Sequence, residues 1–283
     1  MEIRKVAVIG GGTMGTGIAR TIAGAGLEVL QFEKDQSCAQ AAREDLERAL
    51  DQEMTRWSLT EAEKKAILLR VSNRWQLQQA SEADLIIETI SEDFDLKREV
   101  FERLDEVCQP EVIFVTNTST LSVSELAAST QRAERFVGLH FVNPVPRTSV
   151  AEVVRGLATS DETVAAVKEF AVTLGKTPIE VFEYPGYVTT RVIVPLINEA
   201  IYVVMEGVAT AEDVDKAMKL GYNLQTGPLA LADRMGLDEV MNSMEHLFRE
   251  LGDLKYRPCP LLRKLVRAGR LGVKTGEGFF KYN

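Results

Sequence analysis

The stretch Val6-Ala-Val-Ile-Gly-Gly-Gly-Thr-Met-Gly15 decides the fold class of the N-terminal half. Its leading apolar residues are typical of a buried strand, and residues 16–25, which follow the glycines, have the periodicity of a helix. A second apolar run at residues 28–32 predicts another strand. Strand, helix and strand in this order form a βαβ unit, which implies a parallel sheet with right-handed crossovers.

The same alternation continues along the chain. Further apolar runs predict strands at residues 84–88, 112–116, 136–142, 150–154 and 178–182. Helical periodicity is found at residues 96–108 and 160–174. We therefore expect an α/β fold with a Rossmann-like, doubly wound sheet.

A highly charged segment at residues 39–70 interrupts this alternation. Thr60 and Glu63 have the spacing of a capping box, which predicts the start of a second helical arm. Two antiparallel helices that protrude from the sheet as a helical-hairpin excursion fit this segment best.

A change in pattern near residue 185 divides the chain in two. The β-branched runs stop there, and from Tyr187 onward the pattern is helical, with breaks expected at Gly221, Gly227 and Gly236. We predict a Rossmann-like domain at 1–185 and an all-helical domain at 186–283. The second domain is small for an independent core, so we expect a homodimer that forms through it.

Composition and charge exclude several classes of protein. The chain is 45% hydrophobic, which rules out disorder, and its net charge of −9 disfavours a nucleic-acid partner. Residues 192–209 form the longest apolar stretch, but Pro195, Asn198, Glu199 and Glu206 interrupt it. Because such residues are costly in hydrocarbon, this stretch predicts a core helix and no membrane association.

The cysteines carry no metal or disulfide pattern. Cys38, Cys108 and Cys259 are an odd number, lie far apart and follow no secretory leader. We expect no metal site, no disulfide framework and a reducing, cytoplasmic location.

The glycines of the opening stretch form the pattern G-x-G-x-x-G between a strand and a helix. Gly10 permits a tight turn, Gly12 lets the backbone approach a pyrophosphate, and Gly15 lets the helix pack closely on the strand. The start of the helix, with Thr13 and Met14, offers N–H donors and the positive end of a dipole. The spacing therefore predicts a dinucleotide site.

An acidic residue indicates which dinucleotide binds. Glu33 ends the second predicted strand, eighteen residues after Gly15, where a carboxylate accepts hydrogen bonds from the ribose hydroxyls and repels a 2′-phosphate. NAD is therefore favoured over NADP, although Lys34 beside Glu33 weakens that preference.

His140 and Glu152 are the best candidates for acid–base chemistry. His140 lies in Gly138-Leu-His-Phe-Val-Asn-Pro144, at the carboxyl end of an apolar strand, where doubly wound sheets bind ligands. Glu152 stands alone among apolar neighbours, where a carboxylate is costly unless it is paired. We predict a general base oriented by a carboxylate; the alternative is a structural core histidine and a surface-edge glutamate. The other histidine, His246, is predicted to be a solvated helix residue.

Together these motifs resemble the NAD-dependent L-3-hydroxyacyl-CoA dehydrogenases, and more closely the short bacterial 3-hydroxybutyryl-CoA dehydrogenases. The resemblance spans the chain. It is carried by Val8-Ile-Gly-Gly-Gly-Thr-Met-Gly15, Asn117-Thr-Ser119, Gly138-Leu-His-Phe-Val-Asn-Pro-Val-Pro146, Pro185-Gly186 before Arg191, Ala217-Met-Lys-Leu-Gly221, Gly227-Pro228 and Lys274-Thr-Gly-Glu-Gly-Phe279.

The resemblance implies hydride transfer between NAD and C3 of an acyl-CoA in fatty acid metabolism. It makes His140 the catalytic base, Glu152 its partner, and Ser119 a hydroxyl near the substrate oxygen and the nicotinamide. The positions that match cofactor contacts of the family are Glu92, Lys97, Asn143 and Lys274. Without the resemblance, Glu92 and Lys97 would be read as an exposed pair on a helix face, and Lys274 as a tail charge.

The chain departs from the family on the acyl-CoA side. Thr190 stands where relatives have an asparagine before Arg191. By the resemblance, Arg56 stands where relatives place a lysine against CoA, and its guanidinium has the chemistry to bind a phosphate. Arg147 and Arg234 are also unusual, so a related dehydrogenase for another 3-hydroxy acid or an acidic acyl-CoA is an alternative. A catalytically silent NAD-binding protein is the alternative of another class.

Overall fold

A computed structural model describes residues 3–55 and 59–282. The chain forms two compact units, Met1–Tyr184 and Pro185–Asn283, each with its own hydrophobic cluster.

The first unit is built on one eight-stranded sheet within the described residues. Its strands are β1 (Lys5–Ile9), β2 (Glu28–Phe32), β3 (Val71–Arg74), β4 (Leu85–Glu88), β5 (Ile113–Thr116), β6 (Phe136–Phe141), β7 (Val150–Arg155) and β8 (Thr177–Phe182). Their order is β3-β2-β1-β4-β5-β6-β7-β8, so the doubly wound α/β prediction is confirmed. Strand β3 was not predicted.

The last two strands reverse direction, which the expectation of a parallel sheet missed. Strands β1 to β6 pair in parallel, β7 pairs antiparallel to β6, and β8 pairs parallel to β7. The carboxyl ends of β1 to β6 therefore share one edge of the sheet with the start of β7. The switch point, at which the strand order reverses, lies between β1 and β4, and open α/β sheets bind ligands at such a point.

The helices of this unit are α1 (Thr13–Gly24), α2 (Gln36–Thr55), α3 (Glu61–Arg70), α4 (Phe94–Val107), α5 (Val123–Ala128) and α6 (Asp161–Thr173). The predicted capping box is present, since the Thr60 hydroxyl accepts from the Glu63 N–H and the Glu63 carboxylate accepts from the Thr60 N–H.

Helices α2 and α3 lie between β2 and β3 as the predicted helical excursion, and part of each helix packs on the core. Leu46 and Leu50 of α2 and Ile67 of α3 are buried in the same cluster as β1 and β4. The physical reason is that a helix with an apolar stripe must bury it, however charged its outer face is.

The second unit is helical, as expected. It contains α7 (Thr189–Met205), α8 (Ala211–Tyr222), α9 (Pro228–Met235), α10 (Leu237–Leu251) and α11 (Pro260–Arg267). The predicted break at Gly221 is wrong, because α8 runs through it and ends where Asn223 adopts the left-handed conformation at φ 55°. In the parts of the chain that the structure describes, none of the helices has the length and apolar character needed to cross a membrane.

Candidate active site

The glycine turn after β1 leaves its backbone accessible to a ligand. Gly10 has φ +106°, and an ideal Cβ on Gly15 would lie 1.9 Å from the Gly10 carbonyl oxygen, so both positions need glycine. Gly12 differs, because its φ of −67° suits any residue and its Cβ would meet no described atom within 4 Å. A side chain at Gly12 would therefore fill the space over the turn without disturbing the fold.

Helix α1 begins at this turn without a side-chain cap. Its N-cap is Gly12, and the exposed Thr13 and half-buried Met14 form its first turn. The first N–H groups of a helix have no intrahelical acceptor, and they lie at the positive end of its dipole. The open turn and the uncapped helix fit the pyrophosphate of a dinucleotide.

Glu33 brings a negative charge to the same turn. It follows β2, and its Oε1 accepts a hydrogen bond from the Gly11 N–H at 2.5 Å. A carboxylate has capacity for further donors, such as ribose hydroxyls, and would repel a 2′-phosphate.

His140 and Glu152 lie opposite each other on the antiparallel strands β6 and β7. The distance from His140 Nδ1 to Glu152 Oε2 is 2.7 Å, and the two residues are 8% and 1% exposed. The carboxylate accepts the Nδ1 proton and so directs the lone pair of the neutral ring to Nε2. The predicted pairing of the two residues is thus present, and its geometry is that of a base with an orienting acid.

Asn117, at the end of β5, connects its strand to the histidine strand. Its N–H donates to the Glu88 carbonyl oxygen at 2.9 Å, and its side-chain Oδ1 accepts from the Phe141 N–H at 3.0 Å. Phe141 directly follows His140, so Asn117 fixes the backbone beside the candidate base. Sequence reasoning gave Asn117 no role; the available signal was a polar residue directly after a buried strand.

Ser119 is half-exposed in a segment held by Glu92. One oxygen of Glu92, Oε1, accepts from the N–H groups of Ser119 and Thr120 at 3.0 and 3.2 Å and from the hydroxyls of Thr118 and Thr120. Burial opposes ionisation of this carboxyl, but the Lys97 ammonium and these hydrogen bonds lower the pKa of Glu92 below its ordinary value.

Lys97 and Glu92 are not an exposed pair on a helix face, so that alternative is wrong. Lys97 is 1% exposed, and its Nζ lies 2.5 Å from Glu88 Oε1 and 3.3 Å from Glu92 Oε2. Glu88 also accepts from the Thr116 hydroxyl at 2.7 Å. Sequence reasoning missed Glu88, although a carboxylate that ends an apolar strand is the same kind of signal that revealed Glu152.

The remaining predicted residues are spread over both units. Asn143 is exposed in the segment after β6, whereas Thr190 and Lys274 belong to the second unit. Lys274 Nζ donates to Asp238 Oδ2 at 2.6 Å, and Thr190 is 8% exposed near the start of α7. Arg56 lies outside the described residues.

Arg147, Arg234 and His246 complete the set of residues that the sequence singled out. Arg147 and Arg234 are exposed, and Arg234 donates to the Thr226 hydroxyl at 3.2 Å. His246 lies on α10, as predicted, and is partly exposed. Within residues 3–55 and 59–282, no group of three or more His, Cys, Asp or Glu side chains is placed to hold a metal ion.

Comparison with known proteins matches both units. Residues 5–184 match the 3-hydroxyacyl-CoA dehydrogenase NAD binding domain, and residues 186–282 match the C-terminal domain of the same family. The chain belongs to the 3-hydroxyacyl-CoA dehydrogenase family. It is accordingly an NAD-dependent oxidoreductase, and the glycine turn lies in the domain that binds NAD.

Relatives of similar length support this membership. A probable 3-hydroxybutyryl-CoA dehydrogenase from Bacillus subtilis is 48% identical over 100% of this chain and 98% of its own length. A 3-hydroxybutyryl-CoA dehydrogenase from Clostridioides difficile is 44% identical over 99% of both chains. The crystal structure of (S)-3-hydroxybutyryl-CoA dehydrogenase from Ralstonia eutropha is 43% identical, covers 100% of both chains and has a TM-score of 0.90.

The open space over Gly12 makes the NAD site testable in this dehydrogenase. We predict that Gly12→Ala raises the Kd for NADH about tenfold or more, because the methyl group occupies the space that the pyrophosphate needs. Calorimetric titration with NADH measures the change. Gly24→Ala, at the far end of α1, is the matched control and should bind like the wild type. An unchanged Kd in folded Gly12→Ala would contradict this placement of NAD.

Proposed function

We propose that this family member interconverts short 3-hydroxyacyl-CoA and 3-oxoacyl-CoA esters, of which 3-hydroxybutyryl-CoA and acetoacetyl-CoA are the type. The observation that carries the proposal is the buried His140–Glu152 pair at the sheet edge that also carries the glycine turn. The substrates named for the Bacillus, Clostridioides and Ralstonia relatives support this chain length.

His140 moves the proton in this reaction. NAD, when bound, accepts the hydride that leaves C3 of the hydroxyacyl chain. His140 takes the hydroxyl proton at Nε2, while the Glu152 carboxylate keeps hold of the Nδ1 proton and stabilises the imidazolium that forms. In the reverse direction the same imidazolium donates the proton to the new hydroxyl.

Ser119 and Thr190 are proposed contacts of the substrate oxygen. Ser119 is half-exposed on a segment at the same sheet edge, which supports a role for its hydroxyl near the reacting carbon. Thr190 lies in the first turn of α7 and is 8% exposed, and its hydroxyl has the chemistry to donate one hydrogen bond to a ligand. Arg56 is proposed for the CoA phosphates on the resemblance alone.

The cofactor contacts are likewise proposals beyond the NAD binding domain itself. The resemblance assigns Glu92, Lys97, Asn143 and Lys274 to NAD, although Lys97 is 1% exposed and donates to Glu88 and Ile90. The uncapped α1 supports Thr13 and Met14 as donors to the pyrophosphate. The position of Glu33 beside Gly11 supports the preference for NAD over NADP.

A homodimer formed by the second unit is proposed on similar grounds. Val192, Val208, Leu220 and Tyr222 of this unit are each more than three-fifths exposed, which is costly for large apolar side chains unless another surface covers them. We also propose a cytoplasmic location and a role in fatty acid metabolism, because the reaction consumes or produces acyl-CoA esters.

Two alternative functions remain open to test. The exposed guanidinium of Arg147 supports a substrate with a second carboxylate, since arginine binds carboxylates with two parallel hydrogen bonds. The silent NAD-binding alternative is opposed by the intact His140–Glu152 pair, because burying a carboxylate against an imidazole has a cost that a protein without catalysis need not bear.

Oxidation of NADH on addition of acetoacetyl-CoA tests the proposal. We predict that His140→Gln lowers kcat roughly 10²–10⁴-fold, the usual share of a general base, and leaves the Kd for NADH nearly unchanged. His246→Gln is the matched control and should turn over at the wild-type rate. Near-wild-type turnover by folded His140→Gln would remove the acid–base role, and a larger kcat/KM for a dicarboxylic acyl-CoA would favour the Arg147 alternative.

Glu33 should set the cofactor preference. We predict that kcat/KM is about tenfold or more higher with NADH than with NADPH, because the carboxylate repels the 2′-phosphate. Glu33→Gln keeps the shape of the side chain and removes its charge, so the ratio of kcat/KM with NADH to kcat/KM with NADPH should fall. Equal values for both cofactors in the wild type would contradict the assignment.

Thr190 should limit the rate with acetoacetyl-CoA. One well-placed donor to a developing oxyanion is worth about 3 kcal/mol, and threonine has a shorter reach than the asparagine of relatives. We predict that Thr190→Asn raises kcat/KM for acetoacetyl-CoA. An unchanged or lower value in a variant with wild-type melting temperature would show that Thr190 already suffices or lies away from the reacting carbon.

A further inference from the structure

One carboxylate oxygen accepts several hydrogen bonds from the segment that carries Ser119, in addition to the bonds that Thr118 makes within the segment. Glu92 Oε1 accepts hydrogen bonds from Thr118, Ser119 and Thr120, three consecutive residues after β5. The backbone N–H of Ser119 itself is one of the donors, at 3.0 Å. The position of the Ser119 backbone within this segment therefore depends on where the Glu92 carboxylate lies.

Glu92 forms an ion pair with Lys97, which is buried. Lys97 Nζ lies 3.3 Å from Glu92 Oε2, 2.5 Å from Glu88 Oε1 and 3.3 Å from the Ile90 carbonyl oxygen. The contacts with Glu88 and Ile90 are hydrogen bonds that the ammonium donates, and the contact with Glu92 is an ion pair. Since Lys97 is 1% exposed, solvent offers no competing partner.

Glu88 anchors the lysine to the sheet. It is fully buried at the end of β4, and its oxygens also accept from the Thr116 hydroxyl of β5 and from the Ile90 N–H, each at 2.7 Å. Besides their contact with each other, Glu88 and Lys97 are therefore fixed by the Thr116 hydroxyl, the N–H and carbonyl groups of Ile90 and the Glu92 carboxylate. The chain of contacts from the core to Ser119 runs Glu88, Lys97, Glu92 and the 118–120 segment.

We propose that Lys97, anchored by Glu88, is a positioning residue that holds Ser119 in place through Glu92. The proposal deepens the proposed function and rests on the role given there to Ser119. Without the ammonium, two carboxylates face each other at the sheet edge, and Glu92, whose side chain is 38% exposed, turns toward water. The hydrogen bonds to residues 118–120 are then lost, and the Ser119 hydroxyl is no longer fixed near the substrate.

A purely structural role for the pair predicts different behaviour. Removing one member of a buried ion pair destabilises the fold by leaving the other charge uncompensated, whereas removing both is often close to neutral. A positioning role predicts that the double change restores stability and leaves Ser119 unanchored, because Glu92 still lacks its cation.

The test compares Lys97→Met with the double variant Glu88→Gln/Lys97→Met. Melting temperature, hydrogen exchange at the Ser119 and Thr120 amides, kcat with acetoacetyl-CoA and the Kd for NADH are measured on each. We expect Lys97→Met to melt well below the wild type and the double variant to recover most of that loss. The double variant should still show fast exchange at the Ser119 amide, whose acceptor is Glu92, and a kcat reduced roughly tenfold or more at NADH concentrations that saturate each variant.

Two further variants complete the design. Lys176→Met removes another buried lysine, which is 7% exposed and donates to the Val145 and Thr148 carbonyl oxygens, so it should lower stability without changing exchange at residues 119 and 120. In a Ser119→Ala background, the double change should reduce kcat by less than about threefold, because the hydroxyl that it positions is already gone.

Each outcome decides the proposal. Slow amide exchange and wild-type kcat in the double variant would show that the Glu88–Lys97 pair only stabilises the fold. If the kcat losses of Ser119→Ala and of the double change multiply when combined, the pair acts on kcat by a route other than Ser119. Wild-type kcat in Ser119→Ala would also overturn the proposal. His140→Gln reports on the proposed reaction separately, so a failure of the positioning role and a failure of the function are distinguishable.

Discussion

Glu152 is 1% exposed on a strand of apolar residues, and a carboxylate in that place needs a partner to remain charged. The antiparallel pairing of β6 with β7 supplies one by placing His140 directly across the ladder. The reversed direction of β7 therefore matters for this pair. In a parallel strand, the carboxyl end of β7 would lie at this edge instead of its start. One ion-dipole contact at 2.7 Å orients the ring, and the other site residues of the first unit are arranged around the same edge.

A second charge cluster, of which Glu88 and Lys97 are buried, lies near the ends of β4 and β5. Glu88, Lys97 and Glu92 stand between the glycine turn, which follows β1, and the Ser119 segment, which follows β5. Parallel strands bring these groups to one edge, whereas the residues themselves are separated in sequence. The sheet thus places the glycine turn, the Ser119 segment and the His140 imidazole along one edge.

Buried strands were readable from the sequence because a strand covered on both faces is a continuous apolar run. β3 was missed because Val71 is its only apolar residue, which an edge strand tolerates. The direction of β7 was not predictable, since an apolar run is equally compatible with parallel and antiparallel pairing to its neighbour. Glu152 could be recognised in the sequence as a lone charge in an apolar strand. The pairing of Glu88 with Lys97 could not, because Lys97 lies nine residues later on a helix, where a lysine is ordinarily exposed.

The proposed chemistry of this site depends most on Glu152 acting through His140. Measuring kcat with acetoacetyl-CoA and NADH for His140→Gln, Glu152→Gln and the double variant tests it directly, with NADH binding as the check on folding. The account predicts that the double variant is within about threefold of His140→Gln alone, because a carboxylate that serves the imidazole has nothing left to serve once the imidazole is removed. Losses that multiply in the double variant would contradict it.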